Sequence, residues 1–253
     1  MLFDSISAVL PAFNEEENIE IATTRMAEVL RSLNLRDWEI IIVDDGSVDK
    51  TGEIAERLVS QDPDHLRVIH HQPNKGYAQA LKNGFTSAKH QLIFYTDSDN
   101  QFDVREIKNL LPLIETTDIV CGFRIYRFDP LTRLVLAWGY NLLVRMIFRI
   151  NVRDVDCAFK LFRREVFDKV TIESKKFFVD AEILAKAKYH GMKLIEIGVR
   201  HYPRQAGQST VRASHIFSTL KEIAQMWVNI RSKPRYAKKG RVGEAEKGST
   251  KKQ

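Results

Sequence analysis

The sequence predicts an α/β fold in which a mostly parallel sheet is flanked by helices. Two observations predict it. Short apolar runs alternate with helical patterns through the first half of the chain, at spacings that suit right-handed crossovers. The runs at 38–43 (WEIIIV) and 92–96 (LIFYT) are apolar almost throughout, as strands buried on both faces must be. With 253 residues, the chain is long enough to bury a substantial core.

Residues 6–10 form the first strand, ended by Pro11. Asn14 has the chemistry of an N-cap, and Glu15, Glu16 and Glu17 follow where a helix dipole favours carboxylates. That helix is expected to run to about Leu33. After the 38–43 strand comes the loop Asp44-Asp45-Gly46-Ser47, with Thr51 as the cap of the next helix. Strands at 66–70, 92–96 and 118–122 alternate with helices at 76–88 and 104–114. Beyond Gly122 the pattern changes to a long amphipathic helix over 130–150, a short strand at 159–162, a helix at 180–189, a strand at 194–202 and a second amphipathic helix over 216–230. The division that follows is one domain over 1–210, an amphipathic C-terminal helix over 211–232 and a basic, disordered tail over 233–253.

The net charge of +6 is modest, and lysines and arginines of the tail carry much of it. Such a tail suits anionic lipid headgroups or nucleic acid, but a solvated terminus is the plainer reading, and no nucleic-acid partner is expected. Cys121 and Cys157 lack metal-type spacing, and residues 1–11 carry no signal-peptide pattern, so both read as reduced cytosolic thiols. No uncharged apolar run reaches the roughly 20 residues a membrane span needs. The nearest, 131–150, is broken by Arg133, Arg145 and Arg149.

Ligands of open parallel sheets bind beyond the carboxyl ends of the strands. Three strand exits here are polar: Pro11-Ala12-Phe13-Asn14-Glu15, Asp44-Asp45-Gly46-Ser47 and Asp97-Ser98-Asp99-Asn100-Gln101. Together they put four aspartates on one rim, an arrangement that a divalent cation bridging a diphosphate would balance. Asp97 and Asp99 offer the oxygen ligands that Mg²⁺ or Mn²⁺ prefers, and Gln101 offers a carbonyl oxygen. Asp44 or Asp45 suits a base or ribose, since a carboxylate accepts two hydrogen bonds well. Lys75, beside Gly76, can face phosphate or simply solvent. His201 reads as a structural histidine at a strand end, and no partner is evident for His70 or His71.

The ordered motifs at 9–18 (VLPAFNEEEN) and 42–51 (IVDDGSVDKT), with Asn74-Lys75-Gly76 and Asp97-Ser98-Asp99, resemble family 2 glycosyltransferases of the GT-A fold. The nearest subgroup is similar to the dolichol- or polyprenol-phosphate sugar synthases, and the likeness covers about 6–209. It implies a metal-dependent inverting transferase that moves a sugar from a GDP- or UDP-linked donor to a lipid phosphate. It implies donor contacts at Pro11, Ala12, Phe13, Glu15, Asp44, Asp45, Lys75, Gly76, Asp97, Ser98 and Asp99, with Arg204 and Ser209 closing over the diphosphate. Asp97, Asp99 and Gln101 match the metal ligands. Arg124, Lys160, Arg163, Asp180 and Glu182 fall on the acceptor side, with Arg124, Asp156 and Arg204 beside the reacting groups. Ser98 departs from the alanine of mannosyl members, which leaves the donor sugar open.

An ionised lipid phosphate needs cations and no base, whereas a sugar hydroxyl needs a general base such as Asp156, Asp180 or Glu182. Both sets are present. The alternatives are therefore a family 2 enzyme acting on a glycan hydroxyl and, in another class, a non-catalytic nucleotide-binding module with a nucleic-acid-binding tail. The 131–150 helix carries Leu134, Val135, Trp138, Leu142, Met146 and Ile147 at helical spacing, which suits the plane of a bilayer interface. The expected location is cytoplasmic and peripheral, on the cytoplasmic face of a membrane, with a membrane-protein partner or a homo-oligomer as further expectations.

Overall fold

The computed structural model describes residues 2–128, 131–174, 178–203 and 223–228. Strands β1 (Ser5–Ala12), β2 (Asp37–Asp44), β3 (Leu66–His70) and β4 (Leu92–Thr96) alternate with helices α1 (Ile19–Arg31), α2 (Thr51–Gln61) and α3 (Tyr77–Ser87). A 3-10 turn (Val104–Glu106) and α4 (Ile107–Ile114) lead into β5 (Ile119–Arg124). Then follow α5 (Leu131–Phe148), β6 (Phe159–Arg163), α6 (Val166–Lys169), α7 (Val179–Tyr189) and β7 (Leu194–Val199).

One seven-stranded sheet has the order β3-β2-β1-β4-β6-β5-β7. All pairings are parallel except those of β6, which runs antiparallel to both β4 and β5. Every residue of β1 and β4 is buried, because helices cover both faces of the sheet there. Helix α3 lies close on that sheet through Gly84, where a Cβ would stand 2.3 Å from Val9 Cγ1.

Asn14 does not cap α1. It adopts φ +55°, its Oδ1 accepts from Val48 N–H at 2.9 Å, and its own N–H donates to Ser47 Oγ at 3.0 Å. The helix therefore starts only at Ile19, and the glutamates sit in the turn before it. Asparagine tolerates the left-handed region better than most residues, so the same side chain serves a loop latch as readily as a cap. Thr51 is likewise the first residue of α2 rather than its cap; its Oγ1 accepts from Glu15 N–H at 2.8 Å.

Within the 216–230 segment, residues 223–228 are helical, and Ile223 and Met226 are buried against the core. The rest of the expected 216–230 helix and the expected 233–253 tail lie outside the described residues. Cys121 and Cys157 are free thiols in the core, and burial raises both pKa values, that of Cys121 to about 12. They are inert at neutral pH.

Candidate active site

Since β2, β1 and β4 are neighbours and parallel, their carboxyl ends open on one edge of the sheet. Side chains tie the three exits together. Ser98 Oγ donates to the Pro11 carbonyl at 2.9 Å, and Asn100 Nδ2 donates to the Asn18 carbonyl at 3.0 Å. Asp45 N–H donates to the Ala12 carbonyl at 2.9 Å. Pro11 and Ala12 are buried in the strand end, while Phe13 and Lys75 stand exposed on the rim and Glu15 is half-buried.

The twin aspartates after β2 divide their work. Asp45 Oδ1 accepts from Lys75 N–H (2.9 Å) and faces His71 Nδ1 (2.7 Å), while its Oδ2 accepts from Gly76 N–H (2.8 Å). Both of its oxygens thus hold the loop before α3, which leaves Asp45 less acceptor capacity for a nucleotide than its neighbour. Asp44 Oδ1 accepts from Ser47 N–H at 3.0 Å, and its Oδ2 faces His70 Nδ1 at 2.8 Å. A carboxylate has about four acceptor positions, so Asp44 keeps capacity for a ligand. The Ser98 hydroxyl is buried and turns inward to the Pro11 carbonyl.

Asp97 and Asp99 sit on the turn after β4. Tyr77 Oη donates to Asp97 Oδ1 at 3.1 Å, and Gln101 N–H donates to Asp99 Oδ1 at 3.1 Å. Gln101 Nε2 donates to the Tyr202 carbonyl at 2.9 Å, which ties this turn to the chain leaving β7. Among the described residues no three His, Cys, Asp or Glu side chains converge as an all-protein metal site would require. The donor set fits a hard cation all the same, because Mg²⁺ is commonly held by one or two carboxylates plus substrate phosphates.

Beneath this turn lies a buried polar chain. Tyr95 Oη donates to Asp180 Oδ1. Lys160 Nζ donates to Asp180 Oδ1 (2.6 Å), the Cys157 carbonyl (2.6 Å) and Tyr95 Oη (3.3 Å). Burial raises the Tyr77 and Tyr95 hydroxyl pKa values well above normal; Asp97 adds most to that of Tyr77, and Asp180 to that of Tyr95. Both therefore remain hydrogen-bond donors at neutral pH. Burial, the largest single effect, would lower the Lys160 pKa, but the Asp180 charge, the nearby Cys121 and Cys157 and the hydrogen bond to Asp180 together outweigh it, and the ammonium is held above its usual value.

This geometry overturns most of the expected acceptor contacts. Lys160 is fully buried and all three of its N–H donors are engaged. Asp180 is its counter-ion. Glu182 is wholly buried, accepting from the N–H groups of Glu173 and Ser174 and from Lys186 Nζ at 2.6 Å. Arg163 lies at the wrong end of the sheet. Because β6 is antiparallel, Arg163 pairs with Leu92 at the start of β4, and its guanidinium donates to the carbonyls of Ile114 and Glu115. Arg204 and Ser209 lie outside the described residues. His201 bridges to Phe102 and packs edge-on against its ring at 5.0 Å, as a structural histidine would.

Arg124 ends β5 and forms a two-pronged pair with Asp154, at 2.7 Å on each prong. Arg127 Nη1 lies 3.9 Å from Asp154 Oδ1. Burial would raise the Asp154 pKa, but hydrogen bonds and charge from Arg124, with charge from Arg127, hold it below the usual carboxylate value. Neither Asp154 nor Arg127 stood out in the sequence; the basic cluster Arg124-Ile125-Tyr126-Arg127 was the available signal. Asp156 lies in the field of Asp180, Lys160, Asp154 and Arg124, and its pKa is raised to about 7, first by desolvation and next by Asp180. Its surface is nonetheless open to solvent. The carboxylate is crowded by protein atoms but reachable by water.

Residues 7–171 match the family described as Glycosyl transferase family 2. The chain is 32% identical over 245 residues to Glycosyltransferase AglD of Haloferax volcanii, covering 92% of this chain and 39% of that protein. It is 26% identical to the Polyprenol monophosphomannose synthase of Mycolicibacterium smegmatis, covering 86% and 84%. It is 30% identical to the Dolichol-phosphate mannosyltransferase of Pyrococcus furiosus, covering 87% of this chain and 63% of that one. The chain thus spans about two fifths of the first relative and under two thirds of the third. Glucosyl-3-phosphoglycerate synthase from Mycobacterium tuberculosis, crystallised with Mn²⁺, UDP and phosphoglyceric acid, superposes with a TM-score of 0.66 at 19% identity, covering 92% and 80%. That likeness is one of fold, and the fold is the expected GT-A α/β architecture. With the family match spanning most of the sheet and the acidic turn after β4, this chain belongs to glycosyl transferase family 2 and is a glycosyltransferase.

Proposed function

We propose that this chain transfers a sugar from a GDP- or UDP-linked donor, held with Mg²⁺ or Mn²⁺ at Asp97 and Asp99, to a polyprenol or dolichol phosphate at a membrane surface. The observation that carries the acceptor side is the continuity of Arg124 with an exposed apolar surface. Ile125, Tyr126 and Phe128 follow it and are exposed. On α5, Leu131, Val135, Trp138, Leu142 and Met146 are exposed at helical spacing, with Trp138 at 67%. The opposite face of α5 packs on the core through Val144, Leu143 and Ile147. A helix apolar on both sides needs a second apolar surface. Of the expected membrane-facing residues, Leu134 and Ile147 are half-buried instead. Among the described residues no helix is long and apolar enough to cross a membrane, so contact would lie in the interface.

In this reading the bound cation supplies charge stabilisation to the departing diphosphate. Asp97 and Asp99 hold it, Tyr77 fixes Asp97, and Asp44 receives the nucleotide base or ribose. Pro11, Phe13, Glu15, Lys75 and Gly76 line the donor side, and Gln101 stands next to the cation. Arg124, with Arg127 beside it, holds the acceptor phosphate: Asp154 engages Nε and one Nη2–H of Arg124, and the remaining guanidinium N–H groups are the ones offered to phosphate oxygens. Arg204 and Ser209 remain proposed donor contacts. The phosphate is already ionised and needs no base.

A second reading rests on Asp156. A carboxyl with a pKa near 7 beside the acceptor site has the chemistry of a general base, which a sugar hydroxyl requires. Radiolabelled UDP- and GDP-sugars are offered with Mn²⁺ and either a polyprenol phosphate in vesicles or an oligosaccharide. Label is expected in the lipid. Label in the oligosaccharide alone transfers support to Asp156 as a base, and label in neither overturns both.

The membrane contact has its own check. Co-sedimentation with vesicles containing phosphatidylglycerol is expected to fall at least about fivefold in a Val135→Asp, Trp138→Asp variant, because each apolar-to-charged change removes burial and adds desolvation. Unchanged sedimentation removes α5 as the docking element.

A further inference from the structure

His70 ends β3 and His71 follows it, and each ring meets one of the twin aspartates at the end of β2. The register explains why. Asp44 pairs with His70 in the parallel β2–β3 ladder, so the next residues, Asp45 and His71, meet on the opposite face.

The two rings meet different sets of partners. Asn83 Nδ2 faces His71 Nε2 at 2.8 Å, and Gln79 Nε2 donates to Asn83 Oδ1 at 2.7 Å. The Asn83 amide therefore presents its N–H to His71, whose Nε2 accepts while Nδ1–H donates to Asp45. That ring is buried. His70 meets carboxylate oxygens on both sides: Asp44 Oδ2 lies 2.8 Å from Nδ1, and Glu56 Oε1 lies 3.0 Å from Nε2. Ionised carboxylates only accept, so both contacts are hydrogen bonds only when the ring carries two protons.

The site is built for this pair. Gly52, in the first turn of α2, leaves the space open; a Cβ there would stand 2.9 Å from Asp44 Oδ2 and 3.3 Å from His70 Cε1. The charged groups facing the ring are Asp44 from β2 and Glu56 from α2.

We propose that His70 is a positioning residue for nucleotide recognition: as an imidazolium clamped between Asp44 and Glu56, it orients Asp44 toward the base or ribose of the donor. This deepens the proposed function and rests on the nucleotide role of Asp44. Burial opposes the charged ring, but the hydrogen bonds and charges of Asp44 and Glu56 raise its pKa above the ordinary value. The clamp is therefore complete below about pH 6.5, the unperturbed value. It is lost as pH rises through the higher folded value, where the unprotonated Nε2 would face Glu56 with two lone pairs opposed.

Calorimetric titration of UDP, GDP and inorganic pyrophosphate, each with Mn²⁺, across pH 6 to 9 tests this in wild type, His70→Ala and Glu56→Gln. In wild type, affinity for UDP or GDP is expected to fall through the His70 window. His70→Ala is expected to bind that nucleotide about three- to tenfold more weakly at low pH and to lose the pH step, the scale of one ordinary hydrogen bond, because His70 acts on the nucleotide only through Asp44. Glu56→Gln, an exposed change, is expected to move the step to lower pH. Pyrophosphate should bind all three proteins alike, because it does not reach Asp44. Unchanged nucleotide affinity in His70→Ala, or an equal loss for pyrophosphate, overturns the inference while leaving the donor site standing. A wild type that binds pyrophosphate with Mn²⁺ but neither nucleotide overturns the nucleotide role of Asp44, and a wild type that binds none of the three overturns the donor site itself.

Discussion

Asp99→Asn is expected to lower kcat/KM for sugar transfer by about a thousandfold, the scale on which one preorganised electrostatic group acts. The replacement is chosen to keep the fold. The new amide would retain the oxygen that accepts from Gln101 N–H, so the turn after β4 should persist. What disappears is negative charge, and a neutral amide is a poor partner for a hard divalent cation. Asp97→Asn should behave alike, because its oxygen still accepts from Tyr77. Steady-state kinetics with saturating Mn²⁺, beside an unchanged urea midpoint, make the check. Activity within tenfold of wild type would remove the proposed cation site.

Lys160→Met should instead act on stability. The change strips a buried cation from Asp180 and leaves the Cys157 carbonyl without its lysine donor. Breaking a buried pair by removing one partner costs about 3–5 kcal/mol, because the remaining charge is uncompensated. Adding Asp180→Leu to the same chain should recover part of that loss, since two apolar groups can replace a buried pair. Urea unfolding at constant m measures both variants. A change below about 1 kcal/mol, with a raised acceptor KM, would return Lys160 to the acceptor site and show that the buried network is not what holds it.

The proposed donor half of the site could be placed from sequence because its signals are local. A buried strand followed by acidic loop residues carries both its position and its chemistry in a few adjacent letters, and parallel neighbours bring such loops together automatically. The acceptor half was not. Lys160, Arg163, Asp180 and Glu182 look alike in sequence as polar residues near a motif. Only the antiparallel direction of β6 and the burial beneath the turn after β4 separate them. Asn14 shows the same limit on a smaller scale, since one side chain has the chemistry for a helix cap and for a loop latch.

By itself, the sequence determined the alternating α/β pattern, the strand exits and the family. Those follow from periodicity and short-range spacing, which survive in one dimension. The tertiary structure decided which of two adjacent aspartates keeps the more open carboxylate, which lysine is a buried counter-ion and which histidine meets two carboxylates. Each of those depends on the second partner a side chain meets, and that partner comes from a distant strand or helix. Burial then sets the sign of the outcome, because a charge out of water must be matched by a neighbour.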